Sequence, residues 1–435
     1  MLKLEKSSKG THTVRISLIA LMAMVLVIVL LTILLWSAER GADAHLNVKN
    51  AGDFNALLPS IVGLTQGSLE GGNSVELLEN GDQFFPRLLS DIAAAKQSIH
   101  VESYIWWTGD ICDQLAAALA TKAREGVEVR LMVDASGGHK MDSKLDKLMK
   151  DSGVQVRKFH PVTLSNLGRL NNRDHRKEVV IDGHTGYLGG YGYAKEWTGQ
   201  AQDKDHWRDT GVRVAGPIVN RLQAAFCENW IEETGEIVAG EKYFPKPTVQ
   251  GNTQAHLAYT SPTGGVSSVQ VLYYLAIKAA RKQIIIQNPY MLPDSDAIEA
   301  FGEAVRRGVD VRIMVPAATA TDSPIVQHAS HHLYGQLLQR GVKIWEYKKT
   351  LLHQKIIIVD GTWSCVGSTN FDRRALQLND EISMGILSTE LAASLRAAWD
   401  DDMKSAEPVD YDRWHHRGLW HKAKDGLAYL ASSQL

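Results

Sequence analysis

Two stretches of the chain repeat one string of residues able to do chemistry: His175-Arg176-Lys177-Glu178-Val179-Val180-Ile181-Asp182-Gly183 and His353-Gln354-Lys355-Ile356-Ile357-Ile358-Val359-Asp360-Gly361. Each reads His-x-Lys, four residues, then Asp-Gly, and in each a second glycine, Gly189 or Gly367, follows the aspartate by seven positions. Along an extended strand the side chains at i and i+2 share a face, so each histidine points the same way as its lysine. If the two segments pack about a pseudo-twofold axis, two imidazoles and two ammonium groups converge on one pocket. That set suits a phosphodiester. The lysines neutralise its oxygens and stabilise the extra charge of a five-coordinate transition state without requiring a metal or other cofactor. One imidazole attacks phosphorus while the other protonates the leaving alkoxide, then acts as base toward an incoming alcohol or water.

A histidine in either role needs a third group to hold its tautomer, usually a carboxylate on the far nitrogen. Asp209 in HWRDTGVRV and Glu381 in LNDEISMGIL follow their own histidines by 34 and 28 residues, on apolar runs expected to be neighbouring strands. Each is the candidate orienter in its half. Asp182 and Asp360 complete the motifs, but at strand ends before Gly they are expected to tie down the turn rather than touch substrate.

The segments that must position these residues also come twice. Ser98 to Trp107 leads into an Ala-rich helical pattern, then VEVRLMVDASGG and GVQVRKFHP; Gln283 to Tyr290 leads into AIEAFGEAVRRG, then VDVRIMVPAATA and GVKIWEYKK. Strand, helix, strand, with Gly at the helix ends and nearly continuous Val, Ile and Leu in the strands, predicts a sheet covered by helices on both faces. The expected fold class is therefore α/β: two fused lobes, each a mixed sheet flanked by helices, related by a pseudo-twofold axis. The boundaries read as 46–240 for the first lobe, 241–265 for a Pro- and Gly-rich linker, and 266–435 for the second lobe with a C-terminal tail.

Ahead of the lobes, Ile16 to Trp36 is an apolar run interrupted only by Ser17 and Thr32, long enough for a helix to cross the hydrocarbon layer. Residues 1–45 are read as an uncleaved membrane anchor in preference to a signal peptide cut near Ala42-Asp43-Ala44. Lys3, Lys6, Lys9 and Arg15 precede the run, which keeps the N-terminus cytoplasmic and puts the body on the outer face. Without residues 1–36 the chain carries a net charge of about −5, which disfavours a nonspecific nucleic-acid binder. Cys112, Cys227 and Cys365 have no disulfide or zinc spacing and are expected to be buried thiols.

The two strings resemble the HxK(x4)D(x6)GxxN signature of the phospholipase D superfamily. The neighbouring text, NRDHRKEVVIDG with LGGY and LLHQKIIIVDGTWSCVGSTNFDRRALQLNDEIS, is similar to bacterial cardiolipin synthases over roughly residues 75–435. The resemblance implies that His175 and His353 are nucleophile and general acid/base, with His175 the nucleophile. It further implies that Lys177 and Lys355 bind phosphate and that Ser368 and Asn370 line the pocket. It implies a phosphatidyltransferase, specifically a cardiolipin synthase, whose partners are membrane phospholipids such as phosphatidylglycerol and an alcohol acceptor. A hydrolytic phospholipase D uses the same intermediate, and a membrane-tethered nuclease is the weaker alternative. The first motif departs from the pattern: Gly192 stands where Asn is expected, and Glu178 where an aliphatic residue is usual.

Other features admit plainer readings. Trp106, Trp107 and Tyr290 serve either core packing or the rim of a lipid entrance. The tail from Asp410, mixing Trp414 and Trp420 with basic residues, fits a docked helix or one lying on an anionic bilayer. His328, His331 and His332 lack a carboxylate or Cys at ligand spacing and are read as helix surface or pocket rim.

Overall fold

The computed structural model describes residues 17–32, 45–48, 52–161, 163, 169, 171–261, 266–430 and 432. Two short leading elements are the helices α1 (17–32) and α2 (Phe54–Leu64). The first half then runs β1 (Glu70–Glu79), α3 (Asn80–Ala94), β2 (Ser98–Ser103), α4 (Asp110–Arg124), β3 (Glu128–Asp134) and α5 (Ser143–Asp151). It finishes with β4 (Gln155–Phe159), β5 (Lys177–Ile181), β6 (Thr185–Gly189), β7 (Thr210–Ala215) and α6 (Val219–Thr234). The second half repeats the plan: β8 (Thr253–Thr260), α7 (Ser268–Ala279), β9 (Gln283–Gln287), α8 (Ser295–Arg306), β10 (Asp310–Pro316) and α9 (Pro324–Gln339). Then come β11 (Lys343–Tyr347), β12 (Ile356–Val359), β13 (Trp363–Gly367), α10 (Arg373–Gln377), β14 (Glu381–Leu387) and α11 (Thr389–Asp402). The tail adds β15 (Ala406–Pro408), α12 (Tyr411–His415) and α13 (Leu419–Leu430).

All the strands join one sheet in the order β15-β11-β10-β9-β12-β13-β14-β8-β1-β7-β6-β5-β2-β3-β4. Setting β15 aside, the order reads the same outward from the β8–β1 seam in both directions, as a twofold relation between the halves requires. In each half three parallel strands (β2-β3-β4, β9-β10-β11) sit beside antiparallel ones, so the sheet is mixed. The seam is narrow: Glu70 pairs with Ala255 and Asn73 with Thr253, with a register shift between. Fully buried Asn73 pins it, its amide donating to the carbonyls of Glu70 and Thr253 while its oxygen accepts from the Ile218 N–H. An unpaired amide there would cost about as much as a lost hydrogen bond.

Helices cover both faces. One core packs α3 and α4 (Leu88, Ile92, Leu115, Leu119) on Val101, Val179 and Ile181, and another packs α7, α8 and α9 on Ile284, Ile286 and Ile357. On the opposite face a third core is shared: Val180, Val212 and Leu222 meet Leu257, Ile285, Ile356, Met384, Leu395 and Trp399. The lobes therefore share both a sheet and an apolar layer.

Two boundaries differ from the sequence expectation. Residues 253–260, placed in the linker, form β8 at the centre of the sheet. TQAHLAYT lacks the Val and Ile run that marks the other strands, and prolines flank it, so its local signal is that of a loop. Likewise α2, placed in the first lobe, buries Phe54, Leu57, Leu58 and Ile61 in the core of the second, with Phe54 against Trp363. For α1, the described residues 17–32 are exposed throughout. No helix among the described residues is long and apolar enough to cross a membrane, and the rest of the expected span lies outside them.

Asp182 and Asp360 occupy equivalent turns. Each stands at positive φ (52° and 55°), which Asp tolerates better than most residues. The carboxylate of Asp182 accepts from the backbone N–H groups of Lys96, Gln97 and Ser98, and that of Asp360 from Arg281, Lys282 and Gln283. Each aspartate thus anchors the start of the strand neighbouring its motif, away from the reacting groups. Asp182→Ala and Asp360→Ala are each expected to lower stability by about 2 kcal/mol in urea unfolding, since charge-assisted bonds are lost but water replaces part of them. A loss under about 0.5 kcal/mol, the scale of an ordinary surface change, would contradict the anchoring role.

Candidate active site

The strands of the motif begin at Lys177 and Ile356, so both histidines sit on extended lead-in segments instead of on regular strand. These segments are held by the opposite half. His175 N–H donates to the Asp380 carbonyl (2.9 Å) and Asp380 N–H to Arg173; His353 N–H donates to Arg208 (2.7 Å) and Arg208 N–H to Leu351. The residue after each of these bridging positions, Glu381 or Asp209, is thereby set beside the other lobe's imidazole.

The carboxylate pairing is consequently exchanged relative to the sequence expectation. His175 Nδ1 lies 2.8 Å from Glu381 Oε1, and His353 Nδ1 lies 2.8 Å from Asp209 Oδ2. The partners are 206 and 144 residues apart, and both carboxylates are fully buried. With Nδ1 engaged, Nε2 is the second nitrogen of each ring, and on His353 it lies 3.1 Å from Lys355 Nζ. His175 and His353 line a single cavity of ≈ 330 Å³ together with Lys177, Asn370, Tyr104, Ile105, Arg173, Trp207, Tyr290, Asp322, Arg374 and Asn379. Edge-on contacts fix the rings: Tyr104 against His175 at 5.0 Å, Trp197 against His353 at 5.1 Å.

The two halves are not electrostatically equal. Burial pushes Glu381 well above the usual carboxylate range, and Lys177 and Ser368 only partly oppose it. Asp209 is as buried, yet His353, Lys355 and the Thr210 N–H hold it below its ordinary value. Burial, then Lys177 and Lys355, drive His175 well below its usual value; His353 is lowered by burial and Lys355 while Asp209 opposes. His353 therefore has an ionised neighbour suited to an imidazolium, and His175 a neighbour with high proton affinity.

The lysines are buried beside the rings. Lys177 Nζ donates to the His175 carbonyl (2.9 Å), and Lys355 Nζ lies 3.1 Å from both ring nitrogens of His353. Burial lowers Lys177 to about 7 and Lys355 to about 8. Rising pH removes their charges, which is expected to weaken capture of an anionic substrate. We expect kcat/KM to fall as pH rises above about 7 to 8, the values just given, while kcat holds to higher pH because a bound phosphate favours charged lysine. A kcat/KM that stays flat to pH 9 would show that the lysines do not set capture.

Ser368 is placed differently from its expected pocket-lining role. It is fully buried, and its hydroxyl donates to Glu381 Oε2, so it props the carboxylate from behind. The equivalent place in the first half is Gly190, where a Cβ would come within 2.3 Å of Asp209 Oδ1. There Trp197 Nε1 braces Asp209 instead, at 2.8 Å. Gly192 stands opposite Asn370, and a Cβ on it would meet Ile105 and Trp197 at 3.0 Å. The missing asparagine of the first motif thus makes room for the tryptophan.

Of the aromatic candidates, Trp106 is fully buried core, Trp107 bonds the Gly137 carbonyl, and Tyr290 lines the cavity with its hydroxyl on Asp322. Arg173, Arg374, Trp197 and Trp207 were not singled out, because nothing in their local sequence separates them from ordinary surface or core residues. Glu178 lies on the far face beside Glu102, and burial raises it to about 8, so it is carried neutral.

The family described as "Cardiolipin synthase, PLD-like domain" matches residues 88–230 and 273–403. The chain is 34% identical over 361 residues to cardiolipin synthase 2 of Bacillus anthracis, covering 82% of this chain and 70% of that protein. It is 33% identical over 363 residues to the cardiolipin synthase of Listeria monocytogenes, covering 83% and 75%. In fold it is similar to the crystal structure of phosphatidylserine synthase from Haemophilus influenzae, with a TM-score of 0.69 at 12% identity, over 88% of this chain and 100% of that one. With both motif histidines and Lys177 on one cavity and a match that spans both halves, the chain belongs to the cardiolipin synthase family of phospholipase D-type enzymes.

Proposed function

We propose that the chain transfers a phosphatidyl group from phosphatidylglycerol to a second phosphatidylglycerol, making cardiolipin and free glycerol. His175 Nε2 attacks phosphorus, the bond to the glycerol oxygen breaks, and His353 gives its proton to that oxygen. The hydroxyl of a second phosphatidylglycerol then loses its proton to His353 and attacks phosphorus, releasing His175. As Nε2 bonds phosphorus the ring becomes cationic, and Glu381, with its raised proton affinity, draws on the Nδ1 proton. Asp209, kept ionised, favours the charged form of His353 that the first step needs. Lys177 and Lys355 stabilise the extra charge at phosphorus.

The observation that carries this reading is the placement of two imidazoles, each with Nδ1 on a buried carboxylate, on one cavity with Lys177, while Lys355 lies against the His353 ring. Membrane attachment fits the same reading. Exposed, apolar α1 supports an N-terminal anchor, the basic residues ahead of it favour a cytoplasmic N-terminus, and α13 leaves Leu419, Trp420, Leu427 and Leu430 exposed beside Lys422 and Lys424, suited to a bilayer surface. An anchor holds the cavity next to lipid at high effective concentration.

The test is product analysis of membranes carrying the protein and fed labelled phosphatidylglycerol. Cardiolipin with an equivalent of glycerol is expected, and the protein is expected to stay in the pellet through an alkaline carbonate wash. Phosphatidic acid as sole product would mean that water resolves the intermediate and would replace transfer by hydrolysis.

A further inference from the structure

On the second lobe, away from the catalytic cavity, the fold supplies what the sequence around His328 lacked. His328 and His331 are three residues apart on α9 and so share a face. Asp425 arrives from α13, nearly a hundred positions later, and is 1% exposed. One donor atom from each of the three lies within 4.8 Å of the other two. His328 Nδ1 is 2.8 Å from Asp425 Oδ1, and His331 Nε2 is 2.8 Å from Glu346 Oε1 on β11 and 3.1 Å from the Gln327 amide nitrogen. Arg417 takes the other oxygen of Asp425 at 2.9 Å, which leaves Oδ1 directed at the imidazoles.

We propose that His328, His331 and Asp425 bind one divalent transition-metal ion of the Zn²⁺ type. Two imidazoles with one carboxylate are a donor set such an ion accepts, with water completing its shell. Its bonds of about 2.0–2.2 Å at tetrahedral angles put donor atoms roughly 3.3 Å apart, so side-chain rotations that draw the donors together by up to about 1.5 Å close the set. The ion would replace the His328–Asp425 hydrogen bond by one link between α9 and α13. Helix α13 packs parallel to α9, His332 stacking on Tyr429 at 4.5 Å one turn beyond the His328–Asp425 pair. The chain just ahead of α9 carries Asp322 at the cavity wall. The site therefore fastens the tail to the element that leads out of the active site.

This inference does not rest on the transfer reaction. Full-length protein in detergent, stripped with a chelator, is titrated with Zn²⁺ alone and with Co²⁺ alone. One equivalent is expected, with Co²⁺ giving the visible bands of a four- or five-coordinate ion and Zn²⁺ raising the unfolding midpoint. His328→Ala and Asp425→Asn are each expected to weaken binding at least about tenfold, and His331→Gln serves where either fails to fold. His175→Ala keeps the equivalent, which separates the site from the catalytic imidazoles. Absence of a saturable equivalent, or binding unchanged in all three ligand variants, overturns the proposal, as does loss of binding in His175→Ala.

Discussion

His353→Ala is expected to take up one phosphatidyl group and fail to pass it on. Given a substrate whose leaving group needs no proton, such as a phosphatidyl ester of p-nitrophenol, His175 can still displace it. The next step then stalls, because no base remains to activate the acceptor alcohol. A burst of one equivalent of p-nitrophenol is expected, with the label held on the protein in acid-labile, base-stable form, as suits a phosphohistidine. His175→Ala is expected to give no burst. With phosphatidylglycerol itself both variants lose at least about 10³-fold in turnover, since nucleophile and acid work as a unit. The assignment rests on the family resemblance, which makes His175 the nucleophile, and agrees with the inequality of the two carboxylates: Glu381 raised by burial, Asp209 held down by its charged neighbours. A burst from His175→Ala and none from His353→Ala would reverse the roles. Near-normal turnover in either would remove the proposed intermediate.

The second large effect follows from the exchanged pairing. Glu381→Gln keeps the size of the side chain but removes the negative charge beside His175 Nδ1 and lets an NH₂ face the ring, and Asp209→Asn does the same to His353. Each is expected to cost about 10² to 10⁴-fold in kcat, the range for a lost tautomer-setting carboxylate. Their kinetic characters should differ crosswise. Asp209→Asn, a first-half change, is expected to behave as a weakened His353→Ala and let the intermediate build up. Glu381→Gln, a second-half change, is expected to slow formation of the intermediate. If each carboxylate variant instead matched the histidine of its own half, the pairing across the lobes would not operate in solution. Ser368→Ala offers a milder check, expected to act on the same step as Glu381→Gln because its hydroxyl touches only that side.

The legible part of this site is the part that local spacing determines. His-x-Lys before four residues and Asp-Gly is a strand start and a strand end, and two copies made the duplication and the mixed α/β plan readable from periodicity alone. Asp209 and Glu381 were readable as carboxylates on neighbouring strands, because Asp-Thr and Glu-Ile open apolar runs. Which ring each one serves was not readable, since it depends on bridges such as Asp174 with Asp380 and Arg208 with Leu352, closed only once the halves have joined. Strand β8 was hidden for a related reason: a strand buried between two others needs little propensity of its own. The same holds for α2, whose apolar residues announce a core but not whose core. Trp197 and Ser368 divide a single task, bracing a buried acid, by side chains of unrelated kind, and no motif could have paired them.

A gene copy fused to its twin is ordinarily free to wander once the original still serves. Here neither half has that freedom, because the proton-handling of each ring is governed from the far side of the seam. A substitution that unsettles one copy is felt first in the work of the other.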